Sequence, residues 1–355
     1  MSTVSRLTWQ NEPASALQRK PDLLAAWDRL NAERGDLPFL SASAVLSALD
    51  VFGQGNERLL VGREGGRIVT LFLLRPLGRC SWVTFQPSQI PLGAWVASAD
   101  RSLPELAQSL TSGPLGLCLM LSITRIDPLF SPRGDDSRCV LSSDYIDTGW
   151  IELHGTFDEY WNARGKNLRQ NMRKQRNRLA AEGVATRLRT LSDPSEMAGG
   201  VERYGLIESA GWKAAQGSAI HPENAQGRFY RRLLETAAEH GEAVIYEYLF
   251  GERVVASNLC LRRPGTLVIL KTTYDESLSA YSPAFLLHQE VIAALYADQH
   301  IDRIEYYGRM VEWHTRWTGS RRTLYHLTVY RWPLIRKIAD WYRSQGAPKS
   351  GENSQ

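Results

Sequence analysis

The stretch from Thr266 to Gly308 decides the fold. It reads TLVILKTT (266–273), YDESLSAYSP (274–283), AFLLHQEVIAALYADQ (284–299) and HIDRIEYYG (300–308). The β-branched run followed by a polar loop, an apolar periodic segment and a second apolar run predicts strand, loop, helix, strand. Ser282 stands at an N-cap position and Pro283 at the first helical position. A helix starting there points its first backbone N–H groups into a loop at the carboxyl end of a strand, an arrangement suited to phosphate or pyrophosphate.

Working outward, the chain contains one element order twice. Arg58–Arg63 and Arg67–Leu74 read as a hairpin around Glu64-Gly65-Gly66. Cys80–Phe85 is a third strand, followed by a loop, a helix near Pro104–Leu110 and a strand at Gly116–Ser122. In the second half, Ala243–Leu249 and Arg253–Leu261 flank Phe250-Gly251-Glu252, Thr266–Thr273 follows, and Ile301–Tyr307 closes the unit. Each copy spans 65 residues (58–122 and 243–307) at an offset of 185. Helical sequence precedes each copy, at Pro21–Glu33 in the first and at Glu196–Ser209 and Asn224–His240 in the second. A strand at Thr323–Trp332 and a helix at Leu334–Arg343 end the pattern. The stretch Ser131–Asp144 is the expected linker. Two domains are thus predicted: a lobe over 1–145 on the acceptor side, and a lobe over 146–343 carrying the chemistry, with a disordered tail at 344–355.

Composition narrows the class. With 355 residues, 43% hydrophobic and 23% charged, the chain has the make-up of a water-soluble globular protein. No run approaches the roughly 18 apolar residues of a membrane span, and the first twenty residues lack the apolar core of a secretory signal. Cys80, Cys118, Cys139 and Cys260 form no CxxC pair, which points to a reducing, cytoplasmic setting. The net charge is only +4, yet Tyr160–Ala181 holds seven basic residues (Arg164, Lys166, Arg169, Arg173, Lys174, Arg176, Arg178) and no acidic one. Leu168, Met172, Gln175 and Leu179 fall at helical spacing there, so one face docks and the other is cationic. That face suits a solvated surface or an anionic contact: a pyrophosphate, lipid headgroups or tRNA. The absence of HExxH, metal-spaced Cys/His, GxSxG and P-loop patterns argues against a metal and against a serine nucleophile.

The order hairpin, strand, loop and helix, strand, helix, strand resembles the GNAT acyltransferase superfamily. From near Asp147 the chain is similar to the tandem branch that includes the Fem-type peptidoglycan aminoacyltransferases, and most of all to acetyltransferase-like proteins of cellulose and exopolysaccharide biosynthesis. The resemblance rests on TFDEYWNARGKNLRQNMRKQRNRLAAEG (156–183), GWK (211–213), GERVVASNLCL (251–261), YDESLSAYSPAFLL (274–287) and EYYGRMVEWHTRW (305–317). It implies an α/β fold of two tandem lobes, each a mixed, mostly antiparallel sheet flanked by helices. It implies acetyl-CoA or another acyl-CoA as co-substrate and an amine or hydroxyl of a saccharide-type acceptor. A Fem-like transfer from aminoacyl-tRNA and a non-catalytic scaffold in an exopolysaccharide assembly are the alternatives. The pantetheine arm would lie along Thr266–Thr273, touching Thr272 and Thr273, with the pyrophosphate on the N–H groups of Ala284, Phe285 and Leu286 beside Ser282 and Pro283. Two departures stand out: Pro283-Ala284 replaces the family's Pro-Gly, and Trp313-His314 replaces Tyr-Lys.

The candidate chemistry follows from residue type. Glu305, on the strand after the helix, is the first base candidate. His314 is the second, because an ordinary imidazole titrates near neutrality. Tyr307 is placed to protonate the leaving thiolate. Asp275 would orient the acceptor, and Trp212, Lys213, Trp313 and Trp317 would form a groove of indole faces for it.

Overall fold

The structure, a computed structural model, describes residues 7–211, 220–221 and 223–346. Trp212 and Lys213 lie outside the described residues, as does the tail from 347. The expected tail loses residues 344–346 to the last helix, Pro333–Gly346.

The strands in chain order are β1 (Thr8–Pro13), β2 (Arg58–Glu64), β3 (Arg67–Gly78), β4 (Ser81–Thr84), β5 (Trp95–Ala97), β6 (Met120–Ile126), β7 (Val140–Glu152), β8 (Thr186–Leu191), β9 (Ala243–Phe250), β10 (Arg253–Arg263), β11 (Gly265–Tyr274), β12 (Ile301–Glu305) and β13 (Arg321–Tyr330). Both predicted hairpins form. Glu64 pairs with Arg67 and Phe250 with Arg253 across two-residue turns. Gly65, Gly66 and Gly251 take φ of 54°, 85° and 58° there, values that favour glycine. Each copy also forms its parallel pair, β4 with β6 and β11 with β12. The strand expected at Gly116–Ser122 begins instead at Met120, because Gly113–Cys118 folds into successive tight turns.

Among the described residues the strands form one mixed, mostly antiparallel sheet in the order β1-β2-β3-β4-β6-β13-β7-β12-β11-β10-β9-β8, with β5 beside β3. The two lobes are joined by exchange at its centre. The C-terminal strand β13 pairs with β6 of the first lobe, and β7 pairs with β13 on one side and β12 on the other. The thirteen-residue β7 runs through the expected boundary at 145/146 and takes residues 140–144 from the expected linker.

Helices cover both faces. In the second lobe, Pro283–Asp298 and Lys166–Ala181 pack on the face that carries Leu267, Ile269 and Ile304. On the other face, Pro194–Ser209 and Ala225–Ala238 share a single core with the first lobe's Pro21–Glu33 and Ala42–Phe52. Phe52 and Phe229 meet there with ring centroids 5.4 Å apart. A shared core and a shared sheet make the lobes one packed unit.

Candidate active site

The parallel pair β11–β12 opens at its carboxyl end. Its register stops at Val268↔Glu305, whereas β11 continues to Tyr274. The β10–β11 ladder also skips Leu270, passing from Cys260↔Ile269 to Leu259↔Lys271. Such a bulge leaves a backbone group unpaired and bends the strand. In the opening lies a cavity of about 450 Å³, walled by Ile269–Thr272, Pro283–Phe285, Tyr306 and the Trp313-His314 pair. Its described lining is mostly apolar and contains no carboxylate.

The helix start at the cavity's edge differs from expectation. Ser282 adopts the left-handed conformation (φ 56°, ψ 50°), and its hydroxyl caps no backbone N–H. Instead it lies 3.4 Å from Asn171 Nδ2 of the basic helix. The Phe285 and Leu286 N–H groups both donate to the Ser282 carbonyl, at 3.0 and 3.1 Å. The expected three-donor pyrophosphate cradle is therefore not laid open, because the helix closes its first turn tightly on Ser282. Leu286 is fully buried, while Pro283, Ala284 and Phe285 face the cavity.

The aromatic wall is built from residues that sequence reasoning split differently. Trp313 stacks on His314 at 3.9 Å between centroids and meets Phe285 edge-on. Trp317, expected in an acceptor groove, is fully buried against His288 and Phe285, so it presents no free indole face. Tyr306 and His288 were not anticipated. Tyr306 lines the cavity, and its hydroxyl lies 2.7 Å from His288 Nε2. Burial pushes the Tyr306 phenol far up and His288 down to about 3, so both are neutral at physiological pH. The signal for this pair is the spacing of 18 residues between a helix and the following strand, which carries no motif.

His314 lies at the cavity wall, but burial lowers it to about 4 rather than leaving it near neutrality. Its Nδ1 accepts the Val311 N–H at 3.1 Å. In the neutral ring the proton then resides on Nε2, which makes His314 a donor rather than the base the sequence suggested.

Glu305 and Tyr307 turn to the opposite face, where a narrower cleft of about 260 Å³ runs along the lobe junction past Asp36, Arg263 and Arg303. Glu305 accepts from Arg322 Nη2 at 2.9 Å and faces Arg303 Nε at 2.7 Å. Arg322 is forked onto the fully buried Asp127 of the first lobe at 2.6–3.0 Å. Burial raises the Glu305 carboxyl, against the pull of the two guanidiniums. Tyr307 (φ 52°) is buried edge-on to Phe39 at 4.8 Å.

The remaining calls resolve as follows. Thr272 lines the cavity, and Thr273 is buried on the strand. Asp275, expected to orient the acceptor, caps the short helix Glu276–Tyr281 by accepting from Ser277 N at 3.0 Å, and it pairs with Arg253. In the basic helix, Arg164 binds the Trp317 carbonyl, Arg176 pairs with Glu290 at 2.6 Å and Arg178 with Glu182 at 2.9 Å. Part of its charge therefore serves packing. Arg173 and Lys174 remain exposed.

Comparison with known proteins agrees with this geometry. A family model described as Acetyltransferase (GNAT) domain matches residues 166–317. No curated protein matches the chain. Among solved structures, the C-terminal domain of a putative lysylphosphatidylglycerol synthetase from Agrobacterium fabrum aligns with 94% of this chain and 99% of that one, at 10% identity and a TM-score of 0.53. L-PGS from Bacillus licheniformis aligns with 93% of this chain and 98% of that one, at 14% identity and a TM-score of 0.52. A conserved protein of unknown function from Bacteroides thetaiotaomicron aligns over 86% and 97%, at 12% identity and 0.52. At these identities the structural likeness speaks to the fold. Residues 166–317 thus match a GNAT acetyltransferase domain, and that match supports an acyltransferase.

Proposed function

We propose that this protein transfers an acyl group, acetyl first among them, from acyl-CoA to an amine or hydroxyl of a saccharide-type acceptor. The observation that carries the donor half is the free edge of β11. Beyond Val268 it has no β12 partner, so its backbone N–H and C=O groups face the cavity unpaired by that strand. An extended amide chain such as pantetheine satisfies such an edge as an added strand does. Bound there, acyl-CoA supplies an already activated thioester.

The residues then divide the work by face. His314 Nε2–H and the bulge at Leu270 offer donors on the cavity side, suited to polarising a carbonyl. Tyr306, oriented by His288, is the hydroxyl placed to meet a leaving thiolate, the role expected of Tyr307. The cationic helix borders the Ser282 loop through Asn171. Lys174, one turn on, lies between Asn171 and the Arg178 that stacks over Tyr281 at 4.1 Å. That edge suits the diphosphate. The polar cleft on the opposite face suits the acceptor, and Glu305 is its proton acceptor, held in place by Arg303 and Arg322. Positioning of the two substrates supplies most of the rate.

The acceptor class and a role in exopolysaccharide or cell-envelope synthesis rest on the resemblance of residues 156–317. The test is calorimetry with acetyl-CoA, followed by thiol release in the presence of amino-sugar oligosaccharides. Binding plus acceptor-dependent thiol release supports the proposal. Failure to bind any acyl-CoA, with transfer from an aminoacyl-tRNA instead, replaces it with the Fem-like alternative.

A further inference from the structure

The first lobe keeps a buried positive charge that no carboxylate pairs among the described residues. Arg34 ends the helix Pro21–Glu33 and is 5% exposed. Its guanidinium carbon lies over the Trp95 ring, 3.3 Å from the centroid, and Nη1 donates to the Trp95 carbonyl. Nε and Nη2 are buried without a hydrogen-bond partner. The nearby acids are engaged elsewhere. Both Asp127 oxygens accept from Arg322, and Glu33 pairs with Arg29 at 2.6 Å. Burial pulls Arg34 down to about 9, against the attraction of Asp127, so it stays protonated at neutral pH. One carbonyl and one ring face leave most of its fork of donors idle. Buried donors left idle are rare in folded proteins and call for a partner.

Those donors border a cavity of about 360 Å³, walled in part by Arg34, Trp95, Arg101, Ser102 and Phe130. Trp95 Nε1 is a second buried donor there without a partner. The helix Leu103–Thr111 starts at the same wall, and the hydroxyl of its N-cap Ser102 accepts from no backbone N–H. Its first intrahelical bond runs from the Leu106 N–H to the Ser102 carbonyl at 3.0 Å. The Leu103 and Glu105 N–H groups precede that bond and have no carbonyl within the turn. Arg101 adds a second cation, held by Glu64. Glu33 is the one acid among the described lining residues, and it is already paired.

The helix start and the idle side-chain donors are independent features, and they ask for the same ligand. Each is complementary to oxygen-borne negative charge. The planar guanidinium fork fits a carboxylate or phosphate through paired bonds. The cavity has the size of a small-molecule site.

We propose that this first-lobe cavity binds a small organic anion through its carboxylate or phosphate group, held between Arg34 and the start of Leu103–Thr111, at a site separate from that of acyl-CoA. Calorimetry of the full chain in low-salt buffer tests it, with glycerol phosphate and glucuronate as probes and glycerol and glucose as their uncharged counterparts. At least one anion binds saturably and neither neutral compound does. The tighter of the two anions tells a phosphate site from a carboxylate site. Arg34→Met keeps an apolar stem beside Trp95 and lowers the affinity about tenfold or more. Ser102→Asp places a carboxylate at the helix start, where it strengthens the cap and so keeps the fold. It too lowers the affinity about tenfold or more, by repulsion. Saturating acetyl-CoA leaves the anion's affinity within about twofold, as expected of uncoupled sites. Wild-type protein that binds neither anion saturably, or binds the neutral compounds equally well, overturns the proposal. So does an affinity that Ser102→Asp leaves unchanged, or an anion that acetyl-CoA displaces, which would put the anion in the second lobe.

Discussion

Tyr306 and Tyr307 are consecutive, yet they stand on opposite faces of the sheet. Tyr306 lines the larger cavity beside His288, and Tyr307 is buried at the lobe junction against Phe39. This parity assigns the two hydroxyls different work. Tyr306→Phe should lower kcat by roughly 10- to 100-fold, with the KM for acetyl-CoA little changed. Tyr307→Phe, which removes the hydroxyl's hydrogen bond with Asp127, should leave kcat within a few-fold and cost stability of about 1 kcal/mol, the usual worth of one buried hydrogen bond. Steady-state kinetics beside chemical denaturation of both variants checks this. Equal loss of rate in the two would remove the distinction between the faces.

In the proposed reaction Glu305 takes the proton from the acceptor. Glu305→Gln should reduce kcat by about 100-fold or more while acetyl-CoA still binds with near wild-type affinity. Arg303→Gln loosens the same junction but keeps the carboxylate, and should hold kcat within about tenfold of wild type. If Arg303→Gln proves as damaging as Glu305→Gln, Glu305 serves the junction rather than proton transfer.

Histidine burial gives the protein a pH-dependent stability. Folded His314 titrates near 4 and His288 near 3, against about 6.5 in an unfolded chain. Between those values the unfolded state binds more protons, so stability is full above about pH 6.5 and declines as pH falls toward 4. Glu305, raised by burial, works in the opposite sense at the acid end. The two histidines together should cost a few kcal/mol across this window. Urea midpoints measured from pH 7 to pH 4.5 should fall less steeply in His288→Gln than in wild type. Parallel curves would mean that His288 is protonated equally in both states.

Ala284 faces the cavity at the start of Pro283–Asp298. Ala284→Gly should preserve or tighten acetyl-CoA binding by removing a Cβ from the phosphate side. Ala284→Asp should weaken it about tenfold through repulsion. Calorimetry on both variants decides it, and indifference to either change would put the diphosphate elsewhere.

Much of the fold was legible because its signals are local. The glycines at 65, 66 and 251 mark the hairpins, and the Ser-Pro start with apolar periodicity marks the helix after β11. The central exchange was not, since the alternation in 140–152 and 321–330 shows a strand without naming its partner, and β13 skips back across the chain to β6. At the site, Thr272, Ser282–Phe285, Trp313 and His314 were named from sequence and line the cavity, whereas the faces of Glu305, Tyr307 and Trp317 were not legible. A strand's period of two decides the face, and neither the bulge at Leu270 nor the left-handed turns at Ser282 and Tyr307 are written in residue type. Trp317 shows the same limit, because an indole reads alike in a groove or a core.

The most direct test of acyl-CoA binding in the second lobe is hydrogen exchange by mass spectrometry with and without saturating acetyl-CoA. The free edge of β11 and the cavity beside it predict protection of Ile269–Phe285 and of the segment from Tyr306 to His314. The first lobe holds its own cavity of about 360 Å³ at the corresponding helix start, lined by Arg34, Trp95 and Ser102. Protection confined to the segments around Arg34, Trp95–Ser102 and Leu129–Gly134, with none along β11, would contradict the assignment and move the donor to the other repeat.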